Sequence, residues 1–368
     1  MPGSTPPAPA RRTARPFWFG QPGRLSNLSP LAAAGLSALL ILIVAVALLT
    51  HAPVEPVRER LSPATTAILD HVRHGQSFYP AALDALREND RPLRPVLFAV
   101  PLPALSITLA ALPPLVGYGL MTILAVAVAA SWLRRVIPIF DRQGPRALAV
   151  ILLVAGLYPL INSTMIAVPE AWAGMFIALS LAQRRPEAMP TAVALGLAAM
   201  LISQTALLYA LVMLALAWQA GVRREVTAWM IAIAIALLAL AAHAHALNPL
   251  VTRLDPAIDA PIDLLSPGTL IATIASASVV GYLPMGVVVP LSVLAALGWA
   301  HWRQAAARRA GATMAAFALA TLVTGSAAFV AGLSPLFFLG VVLAPDAVRE
   351  LIAAARERRR ITVTRVVR

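Results

Sequence analysis

Ionisable and polar side chains are concentrated in one short stretch of an otherwise apolar chain, HGQSFYPAALDALREND, residues 74 to 90. A carboxylate there could act as a general base toward a hydroxyl, and histidines and arginines could hold a phosphate leaving group. His71 and His74 are three residues apart, but no third ligand stands at metal-site spacing, so the pattern gives a divalent metal no support. The polar group comprises Asp70, His71, His74, Gln76, Tyr79, Asp84, Arg87, Glu88, Asp90 and Arg94.

The same stretch has an alternative interpretation as a solvated amphipathic helix. Its apolar positions recur at helical spacing, with interruptions at Gly75 and Pro80, which predicts two short helices on the outer membrane surface. Local ion pairs such as Asp84 with Arg87 are common on exposed helix faces. Spacing alone therefore favours a surface helix over a site.

Two other places carry ionisable side chains beside apolar runs. Glu170, in NSTMIAVPEAWAG, begins one run, and an ionisable group at the border of a membrane core is functional by default. The alternative is a first-turn acid that follows Pro169 and is stabilised by the helix dipole. His243 and His245 end another run two residues apart, so we expect one to face a cavity and the other to lie among headgroups.

The apolar composition determines the class of protein. Of 368 residues, 60% are hydrophobic and 12% are charged, which excludes a soluble fold and predicts an all-α polytopic transmembrane bundle. The apolar runs are continuous rather than alternating, which argues against a β-barrel. The chain contains no cysteine, so disulfides and thiolate metal sites are excluded.

The apolar runs predict about ten spans, with a range of eight to twelve. They lie at about 31–50, 114–133, 147–164, 168–183, 189–203, 205–219, 226–247, 284–300, 312–330 and 332–345. The transmembrane domain is thus predicted over 31–345, with outer loops 51–112 and 245–282. The first outer loop is expected to hold amphipathic helices and, near 104–112, an interfacial or re-entrant segment.

The positions of the arginines predict how the chain is oriented in the membrane. They populate residues 1–30, the short gaps between later runs, and residues 346–368, and the positive-inside rule places all of these in the cytoplasm. The net charge of +13 is then explained by contact with anionic lipid, so no nucleic-acid partner is expected. The chain has no phosphate-binding loop and no internal repeat, which removes an ATP-driven pump and gives no support to a secondary transporter.

Three segments carry a resemblance to a known family: HGQSFYPAALDALREND with the RPLRP that follows it, VPEAWAGMFIALSLAQRRPEAMPTAVALGLAAMLI, and GLSPLFFLGVVLAPDAVREL. With their order of one span, a polar outer loop and a bundle joined by basic turns, they resemble the GT-C superfamily of integral membrane glycosyltransferases. The similarity is greatest to small, largely uncharacterised bacterial members. Enzymes of this superfamily use polyprenyl-phosphate-linked sugars and carry an acidic catalytic residue in the first outer loop.

The resemblance implies a multi-pass protein of the bacterial inner membrane, with both termini cytoplasmic, that transfers a sugar from a lipid-linked donor at the outer face. It implies Asp70 as the base, with Glu88 second, and no cofactor. The implied substrate-binding residues are His74, Gln76, Tyr79, Arg87, Arg94, Glu170 and His245.

Three departures from the family pattern keep a non-catalytic alternative open. Relatives tend to have an acid where this chain has Gln76, an Arg-Glu pair where it has Ser203 and Gln204, and a polar aromatic segment where it has GSAAFVAGLS. An amide cannot accept the proton of an acceptor. The alternative is a transporter, or a degenerate relative that binds a lipid-linked glycan without turning it over.

Overall fold

A computed structural model describes Trp18 and residues 22–162, 164–185, 187–257 and 262–356. The expectation of an all-helical chain is confirmed for these residues. Their helices are α1 (Pro30–Thr50), α2 (Val57–Arg73), α3 (Phe78–Glu88), α4 (Val96–Ala99), α5 (Pro103–Ala110), α6 (Pro114–Val136), α7 (Gln143–Leu157), α8 (Pro169–Gln183), α9 (Met189–Ile202), α10 (Ala206–Gln219), α11 (Arg223–Leu247), α12 (Pro267–Ser276), α13 (Met285–His301), α14 (Ala305–Thr324), α15 (Ala328–Leu333) and α16 (Ala344–Arg356).

Four helical segments in the described part of the chain are long and apolar enough to cross a membrane. They are α1, α6 with its continuation to Ile139, α7 with its continuation to Leu160, and α11. Their exposed faces carry large apolar side chains such as Ile41, Ile123 and Leu238, which water would not stabilise. A membrane bundle is the arrangement that accounts for this surface.

The predicted runs from 168 to 219 do form helices, but short ones. α8, α9 and α10 have 15, 14 and 14 residues, so each is about 21 to 23 Å long at 1.5 Å per residue. The hydrocarbon core of a bilayer is about 30 Å thick. The number of crossings, ten in the sequence interpretation, therefore stays a prediction.

The last two predicted spans need correction. The run 312–330 is broken at Gly325, which ends α14 in the left-handed region with φ of 63°. The run 332–345 is not one helix, because α15 ends at Leu333 and a 3₁₀ segment, Phe337–Leu343, follows Pro335. Proline has no backbone N–H to continue the helix, so the chain leaves helical geometry there.

The segment predicted as the first outer loop, 51–112, folds into a small layer with a core of its own, called the outer layer below. Ile68, Phe78, Leu83 and Leu86 pack together and against Leu247 at the end of α11. α2 and α3 are separated at Gly75, whose φ of 94° disfavours any other residue, as the sequence predicted.

The interruption predicted at Pro80 is wrong. Pro80 lies in the first turn of α3, where its missing N–H removes no helical hydrogen bond.

The described parts of the two predicted cytoplasmic segments, 1–30 and 346–368, meet each other at one end of the bundle. α16 packs against α1, α13 and the 3₁₀ turn Arg24–Asn27. Glu350 accepts a 2.7 Å hydrogen bond from the backbone N–H of Gly23, and Asp346 accepts one of 2.9 Å from Trp18. The described part of the predicted tail is thus a docked helix, while residues 1–17 and 357–368 lie outside the described residues.

Candidate functional site at the outer loops

Gln76, Asp84, Arg87 and Asp255 form one connected group of side chains around α3, called the α3 network below. The Gln76 amide donates a 2.7 Å hydrogen bond to Asp84 Oδ2, and Asp84 Oδ1 lies 3.7 Å from a guanidinium nitrogen of Arg87. Arg87 also donates a hydrogen bond of 3.1 Å to Asp255 Oδ1. Gln76 and Arg87, both predicted to bind substrate, are therefore brought together through carboxylates of the protein itself.

Asp255 joins the second outer loop to the first. The Asp255 carboxylate pairs with Arg87, and its backbone carbonyl accepts a 2.9 Å hydrogen bond from Arg94 Nε. Next to it, the backbone N–H of Leu93 donates to the backbone carbonyl of Pro256. The Asp255 carboxylate also accepts from the backbone N–H of Thr252 at 2.7 Å. This N–H and the Arg87 guanidinium hold the pKa of Asp255 below its usual value, because both stabilise the ionised form.

The two predicted bases differ in their surroundings. The Glu88 carboxylate oxygen Oε2 lies 3.7 Å from His71 Nε2. The Asp70 side chain is exposed, and no hydrogen bond or ion pair engages it among the residues that the structure describes. His74, next to it in space, has its ring Nδ1 2.7 Å from the backbone carbonyl of Asp70. Asp70 and Asp90 are therefore the carboxylates of residues 70–94 that no described side chain engages, and of these two only Asp70 was predicted as a base.

Tyr79 and His243 connect the outer layer to α11. Their rings are 5.6 Å apart, and His243 Nε2 lies 3.3 Å from the carbonyl of Val100. Partial burial raises the pKa of Tyr79. The predicted ligand His245 is exposed and makes no hydrogen bond or ion pair with any described residue. Of the two histidines, the one that faces the outer loops is thus His243, a result of the 3.6-residue helical period.

Glu170 lies in a separate polar group inside the bundle. It is in the first turn of α8, and the Ser203 hydroxyl donates to Glu170 Oε1 at 3.3 Å and lies 2.9 Å from the Thr205 hydroxyl. Gln204 Oε1 is buried without a hydrogen-bond partner among the described residues. No described contact joins Glu170 to the α3 network, so the predicted site is divided into two places.

A cavity of about 340 Å³ lies where the two predicted outer loops meet. Its lining is mostly apolar and comes from residues 51–56 and 272–288, including His51, Ser276 and Tyr282. None of the nine predicted site residues lines it. Asp70 is 13 residues from Val57 along α2, or about 20 Å from that end of the helix.

Asp84 and Asp255 organise the outer network, but the sequence interpretation gave neither a site role. Asp84 could have been found from its position three residues before Arg87. Asp255 gave no such signal, because its partners Arg87 and Arg94 are 168 and 161 residues away. Among the described residues, no group of three His, Asp or Glu side chains is arranged to hold a metal ion.

Comparisons with protein-family models, with curated proteins and with solved structures gave no match to this chain.

Proposed function

We propose that the chain is a GT-C-like glycosyltransferase of the bacterial inner membrane that transfers a sugar from a polyprenyl-phosphate donor at the outer face. The observation that carries the proposal is the state of Asp70. Of the two predicted bases, Glu88 has its carboxylate 3.7 Å from the His71 ring, whereas Asp70 is left exposed at the end of α2. A free carboxylate on a structured outer loop suits a general base.

In the proposed reaction, Asp70 accepts the proton of the acceptor hydroxyl. The hydroxyl oxygen forms a bond to the anomeric carbon of the sugar, and the bond from that carbon to the phosphate oxygen breaks. Polyprenyl phosphate leaves with the electron pair of that bond. Arg87 and Arg94 lie on the same layer and would attract the donor phosphate, while Asp255 fixes their position.

The membrane arrangement is part of the proposal. In this arrangement α1, α6, α7 and α11 span the bilayer, and the shorter helices together with the broken segment 328–343 complete about ten crossings, with both basic termini in the cytoplasm. On this topology Glu170 lies toward the outer side, beneath the outer loops. An acid at that depth, hydrogen-bonded by Ser203, suits a group that positions the sugar.

Turnover in proteoliposomes tests the proposed base. The assay measures release of polyprenyl phosphate from a radiolabelled polyprenyl-phosphate hexose, with an extract of bacterial membrane lipids and glycans as acceptor. Asp70→Asn is expected to lower the rate by about 10²- to 10⁴-fold, because an amide cannot take the proton. Glu59→Gln is the matched control, since Glu59 is on the same helix and pairs only with solvent-exposed Arg58 among the described residues. Equal rates in wild type and Asp70→Asn would remove Asp70 as the base.

A second candidate is a non-catalytic protein that binds a lipid-linked glycan. The observation that favours it is that Gln76, Arg87 and Arg94 already have protein partners, so fewer free groups remain for the donor. For this function the donor binds equally to wild type and Asp70→Asn, and neither protein releases polyprenyl phosphate. The same preparation thus separates the two candidates.

A further inference from the structure

An open groove of about 340 Å³ lies between α13 and α14, at the end of the bundle where the basic turns are found. Its floor is made of the buried side chains of Trp299, Met314 and Phe337. Its walls are small residues, which are Ala296, Ala300, Ala307, Gly311, Ala312, Ala315 and Ala318. The lining is thus almost wholly apolar, and small side chains keep the groove open along both helices.

The length of the groove fits one leaflet of a bilayer. Its lining on α14 runs from Ala307 to Ala318, which is about 16 Å at 1.5 Å per residue. Half of a hydrocarbon core of about 30 Å is about 15 Å. A groove of this length with an apolar lining accommodates an extended acyl chain. A Cβ added at Gly311 would meet no atom within 4 Å, so the space beside α14 is open there.

Positive charge is confined to one end of the groove. Arg24 and Arg308 line it there, and neither guanidinium has a hydrogen bond or ion pair with the residues that the structure describes. The two carboxylates buried on α16, Asp346 and Glu350, instead accept hydrogen bonds from the backbone of Trp18 and Gly23. Two arginines at the mouth of an apolar groove are complementary to an anion attached to an acyl chain.

The backbone of α14 at Arg308 is held in place through its neighbour Arg309. Arg309 binds the fully buried Glu225 with hydrogen bonds of 3.0 and 3.2 Å, which anchors the first turns of α14 to the start of α11. α14 also begins without an acidic side chain in its first turn, so no side chain of that turn offsets the positive end of the helix dipole. The mouth of the groove is therefore electropositive, and its wall on α14 is anchored to α11.

We propose that this groove binds an anionic phospholipid of the cytoplasmic leaflet, with one acyl chain between α13 and α14 and the headgroup phosphate between Arg24 and Arg308. The proposal rests on the membrane orientation given under the proposed function, but it requires no glycosyl transfer. The bound lipid would join the N-terminal segment to α14, two parts of the chain that are nearly 300 residues apart.

Native mass spectrometry of the delipidated protein in detergent tests the proposal, with palmitoyl-oleoyl phosphatidylglycerol and phosphatidylcholine as the probes. Each arginine near an anionic headgroup contributes about 1 kcal/mol, so two of them predict about thirtyfold tighter retention of the first phosphatidylglycerol molecule. The Arg24→Gln/Arg308→Gln double variant is expected to lose this preference. Gly311→Leu fills the groove and is expected to weaken retention of both lipids.

The matched control is Arg134→Gln/Arg224→Gln, which removes two exposed arginines at the same side of the bundle that do not line the groove. It should keep the wild-type preference. Equal retention of the two lipids by wild type would overturn the proposal, as would an equal loss of preference in the control. Because no sugar donor is present, a catalytically inactive protein that retains phosphatidylglycerol would leave this proposal standing and count against the transferase alone.

Discussion

Replacing Glu225 with glutamine should destabilise the bundle more than any exposed substitution at the same end. Glu225 is fully buried at the start of α11 and is bound by two arginines, Arg184 after α8 and Arg309 on α14. Both guanidinium groups engage both of its carboxylate oxygens. This ion triad is the point at which three helices are held together by charge.

The expected loss of stability follows from the distances and the burial of these three side chains. At an effective dielectric constant of about 20, two unit charges 4 Å apart attract by about 4 kcal/mol, and Glu225 makes two such pairs. Much of this attraction offsets the cost of removing the charges from water. What decides the effect is that Glu225→Gln leaves Arg309, whose side chain is only 7% exposed, without a counter-charge. Breaking a buried pair in this way costs about 3 to 5 kcal/mol.

The free energy of unfolding can be measured by titration with sodium dodecyl sulfate in mixed micelles, followed by circular dichroism. Arg184→Gln should cost less than Glu225→Gln, because the Arg184 side chain is 17% exposed and water replaces part of its contact. Glu187→Gln is the control, since Glu187 is exposed near the same end. A loss below about 1 kcal/mol for Glu225→Gln would refute the reasoning.

The triple replacement Arg184→Met/Glu225→Leu/Arg309→Met checks the cause. It removes all three charges together, so no buried ion remains unpaired. Stability should then return to within about 1 kcal/mol of wild type or exceed it, because apolar side chains of similar volume avoid the desolvation cost. A triple variant as unstable as Glu225→Gln would assign the loss to packing rather than to charge.

Two further predictions concern packing and pH. Gly298→Ala on α13 should destabilise the protein by about 1 to 3 kcal/mol in the same unfolding assay, because the added Cβ would overlap the carbonyl oxygen of Gly340. Gly286→Ala on the same helix is the control, since its added Cβ meets nothing within 4 Å and should leave stability unchanged or raise it. The contact between the outer loops should weaken in acid, because the Thr252 N–H and Arg87 lower the pKa of Asp255 in the folded protein. The contribution of Asp255 to stability is therefore complete above its unfolded pKa of about 3.9, and it is lost as the pH falls through the lower folded pKa. The protection factors of residues 84–94, which correct for the pH dependence of intrinsic hydrogen exchange, should therefore fall at acid pH, and Arg87→Gln should reduce that fall. Wild-type protection factors that stay constant over the same pH range would contradict the prediction.

Local sequence features determined much of the architecture. Continuous apolar runs indicated a helical membrane bundle, because backbone groups in a bilayer must be satisfied within each segment. The polar break at Gly75 indicated two helices in the first outer loop, since only glycine readily takes the positive φ found there. These features depend on neighbours in the chain, so they can be inferred without a fold.

The tertiary structure alone decided which polar groups are free and which are engaged. Asp70, Asp84 and Asp255 all looked alike as acids of outer loops, yet only the fold pairs Arg87 with Asp255 and leaves Asp70 open. It also separated Glu170 from the outer network and joined Glu225 to arginines on two distant helices. The physical reason is that an ion pair depends on distance in space, and its energy falls off within a few ångströms, whereas these partners are 41 to 168 residues apart in the chain.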